Sequence, residues 1–210
     1  MLHALFPDRP AQRLIRCVAG LALFGLGISM FVTARLGLAP WDVFHQGVSS
    51  HVGLSLGWVI EIVGFLLLLL WIPLRQRPGV GTILNALVIG LVVNLIGDHL
   101  PSTDRLVPRL AYVVGAVVVI AVGSGLYIGA GLGTGPRDGI MVGLAERGYS
   151  VRRTRTLLEA IVMACGIALG GRVGVGTVAF VVGIGPLVHI LIPRLDMSGL
   201  VPVVVGLEGT

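Results

Sequence analysis

Six apolar runs divide this sequence, and each is long enough to cross a lipid bilayer as an α-helix. A hydrocarbon core about 30 Å thick needs about 20 helical residues, with some allowance for tilt. The runs lack the strict apolar–polar alternation of transmembrane β-strands, which disfavours a barrel. They occupy residues 14–34, 56–73, 80–97, 108–131, 154–170 and 174–193.

The composition also favours lipid as the solvent. Of the 210 residues, 55% are hydrophobic and 12% are charged, and the mean hydropathy is +0.98. Soluble domains contain about 45–50% apolar and about 25% charged residues. We therefore predict an all-α, polytopic membrane helix bundle whose main partner is the lipid bilayer.

All 15 basic residues are arginines, and the formal net charge is +5. They lie between the apolar runs without interleaved aromatic residues, so we predict no nucleic-acid binding. If the N-terminus is cytoplasmic and six spans follow, most arginines fall on the cytoplasmic side. The exceptions are Arg35, Arg105, Arg109 and Arg172. The positive-inside rule therefore predicts that both termini are cytoplasmic.

Two matched blocks indicate an internal repeat. The turn Leu36–Asp42 (LGLAPWD) aligns with Leu132–Asp138 (LGTGPRD), and Arg77–Thr82 aligns with Arg172–Thr177 at nearly the same offset. Each half would contain three spans, an odd number, so the halves would face opposite sides of the membrane. Inverted repeats of this kind are found in many secondary transporters.

The repeat predicts how the chain is organised. We expect a cytoplasmic tail (1–12), a first repeat (13–97), a connecting loop (98–107), a second repeat (108–193) and a C-terminal tail (194–210). A short helix is predicted after each Gly-Pro turn. The sequence leaves open whether these helices are re-entrant or interfacial, and whether there are five or six spans.

The LGLAPWD and LGTGPRD turns, with Gly-Val-Gly-Thr opening the third helix of each half, resemble the YczE/YyaS/YitT family of bacterial integral membrane proteins. The resemblance extends from about residue 13 to residue 193. It implies a small multi-pass protein of the bacterial cytoplasmic membrane and little about its biochemistry. Arg137 stands where the first turn has Trp41, so the two turns need not do the same job.

Two glutamates at corresponding positions are candidate pathway residues. Glu61 and Glu159 lie near the start of the second span of each half. Ionisable residues within spans are costly and indicate function, here the uptake of a proton or cation. The alternative is a position near the interface or a pair with a neighbouring arginine, such as Arg155 beside Glu159.

Each Gly-Pro turn also contributes a carboxylate. Asp42 and Asp138 follow Pro40 and Pro136 by two residues. They are candidates for a gate or a solute contact on each side of the membrane. We favour the interpretation that each caps the N-terminus of its short helix, although one residue could do both.

Four uncharged polar residues complete the candidate pathway. They are Thr82, Asn85, Asn94 and His189. Hydrogen bonds between helices explain them equally well. The histidines lack metal-ligand spacing and no nucleotide-binding loop is present, so we predict no cofactor and no metal.

These features favour a secondary transporter or permease of a small solute, coupled to a proton or a cation. Glycine-rich helix faces permit a homodimer. The alternative is a non-transporting membrane accessory or scaffold. An intramembrane hydrolase using Ser124 and His189 is the least favoured reading, because the second span has no polar pair to stabilise an oxyanion. We therefore predict that the protein is not an enzyme.

Overall fold

The computed structural model describes residues 9–197, which form a bundle of eight α-helices. The helices are α1 (Pro10–Ala34), α2 (Pro40–Val52), α3 (Leu56–Leu74), α4 (Val80–Ile96), α5 (Leu106–Gly129), α6 (Pro136–Ala145), α7 (Val151–Ala168) and α8 (Val175–Leu195). A single 3-10 turn extends α4. Residues 1–8 and 198–210, most of the two predicted tails, lie outside the described residues.

All six predicted apolar segments form helices, and the short helices begin at Pro40 and Pro136 as predicted. Proline suits the first position of a helix because its missing N–H would have no partner there. Five helices, α1, α3, α4, α5 and α8, are long and apolar enough to cross a membrane. The first turns of α7 carry three arginines and Glu159, so a sixth span at α7 stays a prediction.

The helices α1 and α5 form the centre of the bundle and run antiparallel. At one end, the Arg13 guanidinium donates a 3.0 Å hydrogen bond to the carbonyl oxygen of Ala130. At the other end, Arg109 Nε donates a 2.7 Å hydrogen bond to the carbonyl oxygen of Ala34. Gly123 lies against the backbone of α1, where a side chain would collide with the carbonyl oxygen of Gly20. Such small residues allow two helices to approach closely.

Three backbone hydrogen bonds join the halves in the described residues, and we call the two shortest the clasps. Gly81 N–H donates to the carbonyl oxygen of Leu132, and Gly176 N–H donates to that of Leu36, both at 2.8 Å. In each clasp, the N-terminus of a long helix in one half binds the Gly-Pro turn of the other half. The aligned sequence blocks therefore contact each other across the halves.

Glycine is required at the clasps for two reasons. Gly37 and Gly133 have φ angles of 108° and 128°, a region that favours glycine. Gly79 and Gly174 have no such constraint, but a Cβ atom on either would collide with the turn that it faces. The repeated Gly-x-Gly-Thr pattern thus follows from close backbone contact.

The outer helices pack differently in the two halves. The helix α3 packs along α4 and against α6, whereas α7 packs against α2 and makes at most marginal contact with α8. Large apolar side chains on the outer faces are exposed, among them Leu66 and Leu69 on α3 and Val181 and Val182 on α8. Exposed apolar faces of this extent fit contact with lipid.

We expect Gly174→Ala to destabilise the protein, because the new methyl group would press on the carbonyl oxygen of Leu36. Overpacking of this kind costs about 1–3 kcal/mol. The matched control is Gly185→Ala on α8, where a Cβ atom meets nothing within 4 Å. Thermal unfolding in detergent would test this, and equal midpoints for the two variants would contradict it.

Candidate functional site

A cavity of about 80 Å³ lies between the two halves of the bundle. The first turns of α2 and α6 both reach it, together with the middle of α1, α3, α4 and α5. Its polar lining consists of Trp41, Asp42, His45, Asn85, Tyr127, Arg137 and Asp138. Since a water molecule needs roughly 10–15 Å³ on this measure, the cavity has room for several waters or a small solute.

The first turn of α2 brings a buried carboxylate to the cavity. Asp42 is 5% exposed, and its Oδ1 atom lies 3.2 Å from Nδ1 of His45. The two residues are three positions apart, which places them on one helical face. The two side chains therefore contact each other within the bundle.

The first turn of α6 contributes an ion pair. Arg137 Nε lies 3.8 Å from Asp138 Oδ1, and the Tyr127 hydroxyl donates a 3.3 Å hydrogen bond to Asp138 Oδ2. The Arg137 guanidinium also lies 5.9 Å from the centre of the Phe24 ring. One turn thus brings a carboxylate and an imidazole to the cavity, and the other brings a guanidinium and a carboxylate.

The capping interpretation of the two aspartates is wrong. The residues at the N-cap positions are Ala39 and Gly135, and neither helix has a side-chain hydrogen bond at its cap. Asp42 and Asp138 lie at the third helical position, where a carboxylate complements the positive helix N-terminus. Their side chains are directed to His45 and to Tyr127 and Arg137 instead.

Trp71 of α3 holds the start of α6 in place. Its indole Nε1 donates a 2.8 Å hydrogen bond to the carbonyl oxygen of Pro136. Its ring fills the space beside Gly139, where a side chain on α6 would collide with it. The orientation of the second turn therefore depends on a side chain of the first half.

Two polar groups of the cavity lining have no partner among residues 9–197. Trp41 is 7% exposed, and its Nε1 atom is buried without a hydrogen-bond acceptor. The Asn85 amide lines the cavity and forms no hydrogen bond within the described chain. A buried donor without an acceptor is uncommon and calls for an explanation.

The two glutamates occupy different environments. Glu61 is 8% exposed and lies at the α3–α4 contact beside Gly90, away from the cavity lining. Glu159 lies on a partly exposed face of α7, with its Oε1 atom 3.3 Å from Nε of Arg155. A role for either glutamate in a pathway stays a prediction.

The four uncharged candidates are also separated. Asn85 lines the cavity, whereas Thr82 lies at a clasp and accepts a 3.2 Å hydrogen bond from Gly79 N–H. Asn94 accepts a 2.7 Å hydrogen bond from Ser55 at the α3–α4 contact. His189 is exposed on α8. Pro40 begins α2 beside the cavity, and Pro136 is part of its lining.

Neither a hydrolase nor a metal site is visible in the described part of the chain. Ser124 is buried on α5 and has no hydrogen bond to the exposed His189. No group of three or more potential ligands among His, Cys, Asp and Glu is close enough to hold a metal ion there. Both findings concern residues 9–197 only.

The sequence did not identify four of the seven polar residues that line the cavity. His45 could have been found from its spacing to Asp42, and Arg137 from its position beside Asp138. Nothing in the sequence singles out Tyr127, because its contact with α6 depends on how the helices pack. Trp41 stands out in the sequence only because the corresponding residue of the second turn is Arg137.

We expect Trp71→Phe to destabilise the protein, because it removes the indole donor that supplements the intrahelical hydrogen bond to the carbonyl group of Pro136. The loss of one such hydrogen bond costs about 0.5–1.5 kcal/mol. Trp58→Phe on the same helix is the control, since Trp58 is 56% exposed. Thermal unfolding of both variants is the measurement; a larger loss in Trp58→Phe would argue against this role.

Comparison with known proteins identifies the family. A family model described as "Family of unknown function (DUF6198)" matches residues 11–193. An uncharacterized protein of Haemophilus influenzae is 36% identical over 170 residues, covering 80% of this chain and 78% of the relative. The uncharacterized membrane protein YczE of Bacillus subtilis is 31% identical over 179 residues, covering 84% and 83% of the two chains.

A further relative in Bacillus subtilis, the uncharacterized protein YyaS, is 27% identical over 185 residues, covering 84% of this chain and 90% of the relative. No solved structure matches the chain. The resemblance to YczE and YyaS seen in the two Gly-Pro turns is thereby confirmed. The chain belongs to the DUF6198 family and is a membrane protein of the YczE type.

Proposed function

We propose that this protein is a secondary transporter or permease of a small solute in the bacterial cytoplasmic membrane, and that the central cavity is its binding site. The observation that carries the proposal is the meeting of two charged turns from opposite halves in one cavity. Ionisable groups among membrane spans are expensive and by default functional. Transporters with inverted repeats bind their solutes at the repeat interface, at the ends of short or broken helices.

The contacts between the halves support the proposed inverted repeat. The corresponding helices α1 and α5 run antiparallel, and the two clasps are reciprocal. Each of these hydrogen bonds joins two residues that the proposed orientation puts on the same side of the membrane. Arg13 and Ala130 would lie on the cytoplasmic side, and Arg109 and Ala34 on the other side.

The Asp42–His45 pair is the proposed site of proton coupling. Its atoms lie 3.2 Å apart beside the cavity, so a solute that reaches Asp42 would change the electrostatic environment of His45. Histidine is the side chain whose unperturbed charge changes near physiological pH. Glu61 is a second buried carboxyl group, located outside the cavity lining.

Cysteine labelling tests the inverted orientation. We expect Leu54→Cys to react with a membrane-impermeant maleimide in intact cells, and Tyr149→Cys to react only after permeabilisation. Both positions are exposed, and they lie in the corresponding α2–α3 and α6–α7 loops. The background carries Cys165→Ala and keeps Cys17, which is fully buried. Labelling of both positions from the same side would contradict the inverted repeat.

Flux through proteoliposomes tests the transport activity. A panel of cationic, zwitterionic, anionic and neutral small solutes should contain at least one that crosses faster with the protein than without it. We expect Asp42→Asn to slow that flux about tenfold or more, equivalent to about 1.4 kcal/mol in the barrier, because the cavity loses a buried charge.

The control for the flux measurement is Asp104→Asn, which changes an exposed carboxylate between α4 and α5 and should leave the rate unchanged. Equal rates for Asp42→Asn and the unaltered protein would exclude the cavity from the pathway. Absence of flux for every solute in the panel would count against transport.

A further inference from the structure

We infer that the cavity binds a small organic cation that also carries an oxygen atom able to accept a hydrogen bond. The inference rests on the proposed function, because it names the solute class for the same cavity. It draws on three properties of the lining: its charge, its aromatic rings and its unpartnered indole N–H group.

The charge of the lining favours a cation. Two carboxylates, Asp42 and Asp138, face one guanidinium, Arg137. That guanidinium is 3.8 Å from Asp138, which also accepts a hydrogen bond from Tyr127. Asp42 lies within hydrogen-bond distance of the His45 imidazole, and its carboxylate also interacts electrostatically with Arg137. The lining therefore contains one more carboxylate than guanidinium groups, and a buried charge is stable only when it is paired.

Aromatic rings line the same cavity as Asp42. Phe24, Trp41, Tyr127 and Phe180 all line the cavity. A cation within about 6 Å of a ring centre is attracted by the negative face of the ring, most strongly by Trp. The Arg137 guanidinium already forms such a contact, since it lies 5.9 Å from the centre of the Phe24 ring. An organic ammonium group suits a site that combines a carboxylate with aromatic walls.

The indole of Trp41 indicates the second feature of the solute. Trp41 lines the cavity, and its Nε1 atom is buried and has no acceptor among the described residues. An indole N–H can only donate. A hydroxyl or carbonyl oxygen on the solute would supply the missing acceptor, and the Asn85 amide is available for a second hydrogen bond.

Calorimetric titration of the full-length protein in nanodiscs tests the charge requirement. Choline and 3,3-dimethyl-1-butanol have the same shape, but a quaternary nitrogen in the first is a neutral carbon in the second. We expect choline to bind at least about tenfold more tightly, because only choline can pair with Asp42. This comparison needs no variant, so it does not depend on the stability of a mutant.

Two variants then separate the charge from the hydrogen bond. Trp41→Phe keeps an aromatic ring and removes the N–H group, so it should weaken the binding of choline more than that of tetramethylammonium, which has no oxygen and loses only part of its attraction to the ring. Asp42→Asn should weaken both cations. Asp104→Asn in the exposed connecting loop should weaken neither.

Equal binding of choline and its neutral isostere, or no binding of either cation, would overturn the inference. Failure of this inference can be distinguished from failure of the transport proposal by comparing binding with flux. Cation binding without flux would support the ligand class and contradict transport. Flux of an anionic or neutral solute, without cation binding, would support transport and overturn the ligand class.

Discussion

The two clasps are the contacts on which the rest of the structure depends. A chain that leaves helical structure inside a bilayer must still satisfy its backbone polar groups, because lipid offers no partner. Here the Gly-Pro turn of each half finds its donor in the other half, through Gly81 and Gly176. This pairing fixes both turns against long helices and positions the two short helices to face one cavity.

Much of the architecture could be predicted because its signals are local. Apolar run length marked the long helices, and Pro40 and Pro136 marked the starts of the short ones. The repeated Gly-x-Gly-Thr block was visible in the sequence, but the contact that requires its glycines was not. Only the folded chain reveals that Gly174 faces Leu36 rather than a residue of its own half. The spacing of residues within one segment does not indicate which distant segment it will contact.

The site was less predictable than the fold for the same reason. Asp42 stood out because a carboxylate near a span is rare, yet its partner is His45 and not a helix cap. Tyr127 looked like one more apolar-span residue until packing placed its hydroxyl beside Asp138. Glu61 and Glu159 have corresponding sequence positions but different environments. Glu61 is buried, whereas Glu159 is partly exposed and paired with Arg155.

The composition of α7 has a consequence for how the protein is made. Its first turns are too rich in charge for the helix to enter lipid on apolar character alone, and its main packing partner is α2, which is synthesised far earlier. The α2 surface that α7 contacts is therefore synthesised before α7 itself. The second half completes its packing on a helix of the first half.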